Sequence, residues 1–301
     1  MFIARSLKTE LIKRFLKKLV ILTTIKRVII RYVIVRMSKS ILFHRIIPHK
    51  TSKIWVVFVH GAGGSSAIWF RQLRVYQKDY NVLLLDLRGH GKSTHLVQTF
   101  VDSNYSFNKV SEDIIDVLDH NNIVCAHFVG ISLGTIIIRN IAEIAPEYVS
   151  SMVLGGAITR FNTRSNTLVY LGNIFKHCLP YMWLYRLFAF IMMPKKRHKE
   201  SRLLFVREAK LLCQKEFIRW FKLAMDVNPL MRYFKEKEID IPILYIMGKE
   251  DHMFLGPVKE MVKRHKNSLL HTIQQCGHVC NVEQPDSFNQ HSLAFIAKQG
   301  C

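Results

Sequence analysis

Short apolar runs alternate with longer mixed stretches along most of the chain. The apolar runs are rich in aliphatic and β-branched residues, which is typical of buried strands; they are Ile54–Val59, Val82–Leu85, Ile123–Val129, Met152–Leu154, Ile243–Met247 and Leu269–Ile273. The stretches that separate and follow them are predicted helices; they are Ala67–Gln77, Ser106–His120, Leu133–Ala145, Pro257–Arg264 and Pro285–Ala297. Strands that alternate with helices predict an α/β fold, with a mostly parallel central sheet flanked by helices.

The alternation stops between residues 156 and 235. This stretch is predicted to be helical, and it is rich in aromatic residues: Phe161, Tyr170, Phe175, Tyr181, Trp183, Tyr185, Phe188, Phe190, Phe217, Trp220 and Phe221. We interpret it as a helical cap inserted into a core that comprises residues 40–155 and 236–301. Most of the aromatic residues are expected to form the core of the cap, and several are candidates for a substrate pocket. The basic run Lys195–Lys199 is expected to be a solvated face.

The N-terminal segment, residues 1–36, is strongly basic, and Glu10 is the only acidic residue before Asp79. Its apolar residues recur at helical spacing opposite Lys and Arg, which predicts a basic amphipathic helix. The longest uncharged stretch, Leu19–Ile25, is too short to span a bilayer. Three interpretations remain open: an interfacial helix on an anionic membrane, an organelle transit peptide, and a solvated helix packed on the domain. We expect a cytoplasmic protein, with peripheral association with the membrane as one option. The alternative is that the basic N-terminus directs the protein to an organelle.

Composition restricts the class of protein further. The chain has 301 residues, of which 49% are hydrophobic, so it can bury a large core. Its formal net charge of +22 suggests nucleic acid or an anionic membrane as partner, but no nucleic-acid-binding module is recognisable. The cysteines contain no CxxC pair, which favours free thiols in a reducing compartment; they are Cys125, Cys178, Cys213, Cys276, Cys280 and Cys301.

Two glycine-rich turns carry candidate chemistry. Gly130–Gly134 has the pattern G-x-S-x-G between a predicted strand and a predicted helix, where a sharp turn would lift the Ser132 hydroxyl above the sheet. His60–Gly64 follows the first strong strand, and its glycines would let backbone N–H groups approach a developing oxyanion. The amides of Ala62 and Leu133 are therefore the candidate oxyanion hole.

Two further candidates follow later strands. Asp251 lies just beyond Ile243–Met247, and His278 lies just beyond Leu269–Ile273. The carboxyl ends of parallel strands are where active sites form in such sheets. The chain order of a serine, then an acid, then a histidine is the one expected for a nucleophile on a strand-to-helix turn.

These features together resemble the α/β-hydrolase family, in the branch with an inserted cap. The resemblance covers about residues 40–299 and rests on HGAGGS at 60, DLRGHGKS at 86, GISLG at 130, PEYVSSMVLGG at 146, IPILYIMGKEDHM at 241 and CGHVCNVEQPDSFN at 276. It implies that Ser132 is the nucleophile, His278 the general base and Asp251 the residue that orients it. Glu250 is adjacent, but Asp251 matches the family's G-x-x-D.

The resemblance also implies secondary roles for nearby residues. Asp86 and Arg88 match a loop that buttresses the site. His90 and His252 are expected near its mouth as satisfied or solvated side chains. Cys276 and Cys280 flank His278 at a spacing that suits packing better than zinc.

The expected activity is hydrolysis of carboxylic esters with apolar, lipid-like acyl groups, by a carboxylesterase or lipase. The reaction would pass through an acyl-enzyme and need no metal or other cofactor. Two alternatives remain: a C–C bond or thioester hydrolase with the same triad, and a ligand sensor with little turnover. The expected partners are a small ester substrate and an anionic membrane surface, without specific nucleic acid.

Overall fold

The computed structural model describes residues 41–94 and 105–300. The residues from Leu42 onward form one compact unit, which contains the sheet and the helices around it. The basic helix predicted for residues 1–36 lies outside the described residues.

Seven strands form one sheet in the order β1-β3-β2-β4-β5-β6-β7. Their bounds are β1 His44–Ile47, β2 Trp55–Val59, β3 Asn81–Leu85, β4 Ala126–Ile131, β5 Val149–Gly155, β6 Ile243–Gly248 and β7 Ser268–Ile273. β1 is antiparallel to β3, and every other neighbouring pair is parallel. The predicted α/β class with a mostly parallel sheet is confirmed.

Helices connect the strands and cover the sheet. Their bounds are α1 Phe70–Tyr76, α2 Phe107–His120, α3 Leu133–Ile144, α4 Thr163–Phe175, α5 Tyr181–Met192, α6 Lys199–Ala209, α7 Gln214–Met225, α8 Asn228–Glu236, α9 Leu255–Arg264, α10 Cys280–Glu283 and α11 Pro285–Ile296. Short 3₁₀ turns precede several of them, as at Ser66–Trp69 before α1. None of the helices in the described ranges is long and apolar enough to cross a membrane.

The order of the central strands decides where a site can form. After β2 the chain adds β3 on one side, and it then returns to add β4 on the other side of β2. The connections that leave β2 and β4 therefore diverge to opposite faces, which leaves a crevice at the carboxyl ends of these two strands. The two glycine-rich turns, His60–Gly64 and Gly130–Gly134, follow these two strands and meet at the crevice.

Five helices, α4 to α8, lie between β5 and β6, where the sequence predicts the cap. Leu184, Tyr185, Phe217 and Phe221 pack together in a small cluster of their own. Ala189 and Leu204 instead join the apolar cluster of the main sheet. The inserted helices are therefore packed against one another and against the core.

β1 was not predicted from the sequence. It is only four residues long, His44–Ile47, and its side chains are half-buried or exposed. Such a strand lacks the apolar run that marks the central strands, because it has one neighbour and pairs only with β3. Its position depends on a partner about forty residues away, since His44 pairs with Leu85.

Candidate active site

Ser132 stands at the turn between β4 and α3. Its backbone has φ 54° and ψ −122°, a left-handed φ that is costly for a residue with a side chain. The surrounding glycines make room for this turn. A Cβ on Gly134 would lie 2.4 Å from the carbonyl oxygen of Val59, and one on Gly130 would lie 3.2 Å from the backbone of Gly134. The G-x-S-x-G spacing is thus a packing requirement of α3 against β2 and β4.

The structure brings Ser132, His278 and Asp251 together in one chain of hydrogen bonds. His278 Nε2 is 2.9 Å from Ser132 Oγ, and His278 Nδ1 is 2.8 Å from Asp251 Oδ2. The second carboxylate oxygen of Asp251 accepts from the amides of Met253 and Phe254 at 3.2 and 3.0 Å. A carboxylate at Nδ1 favours a proton on that nitrogen. Nε2 is then free to accept the serine proton.

Glu250, the neighbour of Asp251, points into a different set of contacts. Its carboxylate is 2.8 Å from Lys195 Nζ and 2.9 Å from His198 Nε2. Although burial opposes ionisation, these hydrogen bonds hold the pKa of Glu250 below its usual value. Asp251, and not Glu250, is therefore in contact with His278.

The basic run Lys195–Lys199 is the solvated face that we expected at every residue except His198, and it also makes contacts that we did not predict. His198 is fully buried, and Lys195 and Arg197 both lie within ion-pair distance of Glu250. The sequence could not predict this, because Glu250 follows β6 more than fifty residues later. The run connects the inserted helices to the loop that carries Asp251.

Ala62 and Leu133 line the cavity that contains Ser132. Within the described residues, neither backbone amide donates a hydrogen bond to another protein group. The loop before α1 is held tightly, because Gly64 donates to the carbonyl of Gly61 at 3.1 Å. The two residues predicted for the oxyanion hole are thus brought to the same cavity as Ser132.

Two buried histidines hold this glycine loop in place, a role that was not predicted from the sequence. His90 Nε2 accepts from the Gly63 amide at 2.9 Å, and His60 Nε2 accepts from the Leu87 amide at 3.0 Å. Burial lowers the pKa of His60 and lowers that of His90 to about 3, so both rings are neutral near pH 7. The motifs HGAGG and RGHG contain these residues, but only the fold shows that they bridge the two loops.

Asp86 supports the same region from the end of β3. Its two carboxylate oxygens accept from the amides of Ser66 and Lys92 at 2.7 and 2.8 Å. The carbonyl of Arg88 accepts from Trp220 Nε1 of α7 at 3.2 Å. The DLRGHGKS loop thus contacts both the glycine loop and the inserted helices, in agreement with the buttressing role that the resemblance implies.

Two cavities meet at Ser132. The larger has an empty volume of about 940 Å³ out to its open mouth, and its walls are almost entirely apolar. Six of the predicted aromatic candidates line it: Phe161, Tyr185, Phe188, Phe217, Trp220 and Phe221. The smaller, of about 500 Å³, also contains His278 and includes the polar residues Ser201 and Glu208. Four other aromatic candidates are exposed: Tyr170, Phe175, Trp183 and Phe190.

The remaining candidates are His252 and the two cysteines near His278. His252 is exposed. Cys276 and Cys280 are buried, and burial raises the pKa of both thiols well above the usual range. Within residues 41–94 and 105–300, no group of three His, Cys, Asp or Glu side chains is placed to hold a metal ion.

Comparisons with known proteins agree with this architecture. A family model for the alpha/beta hydrolase fold matches residues 54–177. The chain is 28% identical over 256 residues to the dihydrolipoyllysine-residue acetyltransferase component of an acetoin cleaving system from Pseudomonas putida, covering 81% of this chain and 63% of the relative. It is 24% identical over 279 residues to 3-oxoadipate enol-lactonase 2 from Acinetobacter baylyi, covering 81% and 88%.

A solved structure, the enol-lactonase from Burkholderia xenovorans LB400, shares the fold. It aligns with a TM-score of 0.69 at 17% identity, over 85% of this chain and 96% of that chain. The chain thus spans less than two thirds of the acetyltransferase component but most of the two lactonases. With its sheet order and its turn at Ser132, the chain has the α/β-hydrolase fold and is similar to proteins of that superfamily over most of its length.

Proposed function

We propose that this protein is a serine hydrolase that cleaves carboxylic esters with apolar acyl groups. The observation that carries the proposal is the hydrogen-bonded chain from Ser132 through His278 to Asp251 at the mouth of an apolar cavity. The relative named 3-oxoadipate enol-lactonase 2 supports an ester as the bond that is cleaved, because a lactone is a cyclic ester.

The first half-reaction forms an acyl-enzyme. Ser132 Oγ attacks the carbonyl carbon of the ester while its proton passes to His278 Nε2. The amides of Ala62 and Leu133 stabilise the oxyanion of the tetrahedral intermediate. The intermediate then collapses: the bond to the alcohol oxygen breaks, and His278 gives its proton to that oxygen.

The second half-reaction releases the acid. A water molecule attacks the acyl carbon and passes its proton to His278, and the bond to Ser132 Oγ then breaks as His278 returns the proton to the serine. Asp251 holds the imidazole in the required tautomer and stabilises its positive charge in both halves. No step in this scheme requires a cofactor.

The larger cavity suits the acyl group and the smaller one suits the alcohol. A chain of methylene groups gains about 0.8 kcal/mol for each group that it buries against apolar walls, and the walls of the larger cavity are aromatic and aliphatic. The smaller cavity has about half the volume, and its wall is also mainly apolar. Medium or long acyl chains on a small alcohol are therefore the substrates that we favour.

Turnover of p-nitrophenyl esters from acetate to palmitate, together with labelling by a fluorophosphonate probe, tests the proposal. We expect labelling at Ser132 and the highest kcat/KM for medium or long acyl chains. Labelling without turnover of any ester would favour a ligand sensor. Labelling with turnover only of thioesters or C–C substrates would favour those reactions. A protein that is neither labelled nor active would contradict the proposal.

A further inference from the structure

Helix α5 is apolar on the side that faces solvent as well as on the side that faces the protein. Leu184, Tyr185 and Ala189 are buried, whereas Trp183, Leu187 and Phe190 are 63%, 48% and 60% exposed. The exposed three are spaced by four and three residues, so they form one stripe along the helix. A helix at the surface of a soluble domain normally carries polar residues on that side.

The neighbouring helix α4 extends the same feature. Its exposed apolar side chains are Tyr170, Leu171, Ile174 and Phe175. The two helices pack closely: a Cβ on Gly172 of α4 would lie 2.8 Å from the ring of Phe188 of α5. We call the seven exposed side chains of α4 and α5 the α4–α5 face. Seven exposed apolar side chains on two packed helices are more than a surface normally carries by chance, and they indicate an interaction site.

The charge around the α4–α5 face indicates what it binds. The chain contains no Asp or Glu between Glu147 and Glu200, and that stretch has eight Lys or Arg residues. Three of them lie on or next to the two helices: Arg164 and Arg186 are exposed, and Lys176 is half-buried. A partner with a negatively charged, apolar surface is therefore favoured over a second copy of this chain, which would bring another +22 charge to the contact.

We propose that the α4–α5 face docks on the surface of an anionic lipid bilayer. Trp and Tyr concentrate at the membrane interface, because their rings are apolar and carry one polar group. Trp183 and Tyr170, the most exposed members of the face, would enter the headgroup layer. Arg164, Lys176 and Arg186 would pair with lipid phosphates, since basic side chains are attracted to anionic headgroups.

The position of the face also relates docking to the cavity, a point that rests on the proposed function. Leu168 and Val169 of α4, with Tyr185 and Phe188 of α5, line the larger cavity. One layer of helix therefore separates the docked surface from the acyl site.

The test uses the full chain and vesicles of phosphatidylcholine alone or with 30% phosphatidylserine, separated by sedimentation. The test variant is W183E/F190E. The matched control is V124E/L269E, which replaces two side chains outside the inserted helices, 80% and 58% exposed, and changes the charge equally. Thermal melting checks that both variants fold. We expect the wild type to bind the anionic vesicles, W183E/F190E to bind at least tenfold more weakly, and the control to bind nearly as well as the wild type.

Fluorescence gives a second readout. Tryptophan emission of the wild type should shift to shorter wavelength on anionic vesicles, and W183F should still bind but lose most of the shift. Equal binding by W183E/F190E and the wild type would overturn the proposal and assign binding to the N-terminal segment. If the test variant and the control lost vesicle binding equally, binding would depend on net charge and not on the α4–α5 face, and the proposal would be overturned.

Two other outcomes also overturn the proposal. If the wild type bound neither type of vesicle, the proposal would be contradicted directly. A wild-type dimer that W183E/F190E converts to a monomer, without vesicle binding, would show that the face joins two copies of the chain. Because binding is measured without substrate, failure of the ester-hydrolase proposal would leave these results interpretable.

Discussion

The sheet and the inserted helices differ in how far they bury their apolar side chains. The central strands β2 to β6 are buried almost throughout, and their apolar residues face only other parts of the protein. Among the described residues, nine of the fourteen exposed large apolar side chains lie instead on α4 to α8, and a tenth, Leu211, lies in the turn between α6 and α7. The apolar side chains of the sheet thus stabilise the fold by being buried. Those of the inserted helices also line the cavity or are exposed to solvent.

The two regions also differ in their proposed roles in catalysis and in substrate binding. Ser132, His278 and Asp251 follow strands of the sheet, and their geometry depends on backbone packing and on buried hydrogen bonds. The inserted helices provide most of the cavity wall, so they decide which substrate reaches the serine. Changes in the first region should therefore alter the rate for every substrate. Changes in the second should alter the preference among substrates.

Ser132→Ala is expected to have the largest effect. Loss of a triad nucleophile lowers kcat by about 10⁶-fold, because no other group can form the acyl-enzyme. The rate is measured with a p-nitrophenyl ester, and thermal melting checks the fold. A variant that kept more than a few per cent of the wild-type rate would remove Ser132 from its proposed role.

Asp251→Asn is expected to lower kcat by about 10⁴-fold, because an amide favours the wrong histidine tautomer. Glu250→Gln is the matched control at the adjacent residue, and it should reduce kcat only mildly because Glu250 contacts Lys195 and His198 instead of His278. Steady-state rates with one ester are sufficient. If the two variants ranked in the reverse order, Glu250 would take over the orienting role.

Ala224→Phe tests the inserted helices. Ala224 lies on the wall of the larger cavity, so a phenyl ring there would occupy space meant for the acyl chain. Since each methylene in such a pocket is worth about 10- to 200-fold in discrimination, we expect kcat/KM for octanoate to fall about a hundredfold relative to acetate. Ala294→Phe, at an exposed position of α11, is the control. An unchanged ratio of octanoate to acetate would place the acyl group elsewhere.

The smallest expected effect concerns the pH dependence of stability. The folded pKa of His90, about 3, lies below the ordinary value of 6.5, so between these values only the unfolded chain takes up the proton. The stability that His90 contributes is complete above pH 6.5 and is lost as the pH falls toward 3. His90→Gln removes this titration.

Urea unfolding at pH 7 and pH 5 measures the effect. From pH 7 to pH 5 the free energy of unfolding should fall by about 2 kcal/mol more in the wild type than in His90→Gln. Equal losses in the two proteins would show that burial does not hold His90 neutral at pH 5.

Much of the core was predictable because its signals are local. The strands β2 to β6 are apolar runs bounded by turns, and G-x-S-x-G needs its glycines within a few residues of Ser132. The remaining signals are not local. β1 has no apolar run, and the contacts of Lys195 and His198 depend on Glu250, far along the chain. A motif cannot report a partner that lies outside it.

The sequence by itself determined the class of fold, the two glycine-rich turns and the residues Ser132, Asp251 and His278 as candidates, because each depends on composition and spacing within a short segment. Only the tertiary structure decided that these three residues are hydrogen-bonded, that His90 holds the glycine loop and that Glu250 points away from His278. It also decided which aromatic residues of the inserted helices line the cavity and which are exposed. The physical reason is that burial and hydrogen bonding depend on neighbours brought together by folding. The sequence alone does not say whether an aromatic residue of a helix faces the cavity or the solvent.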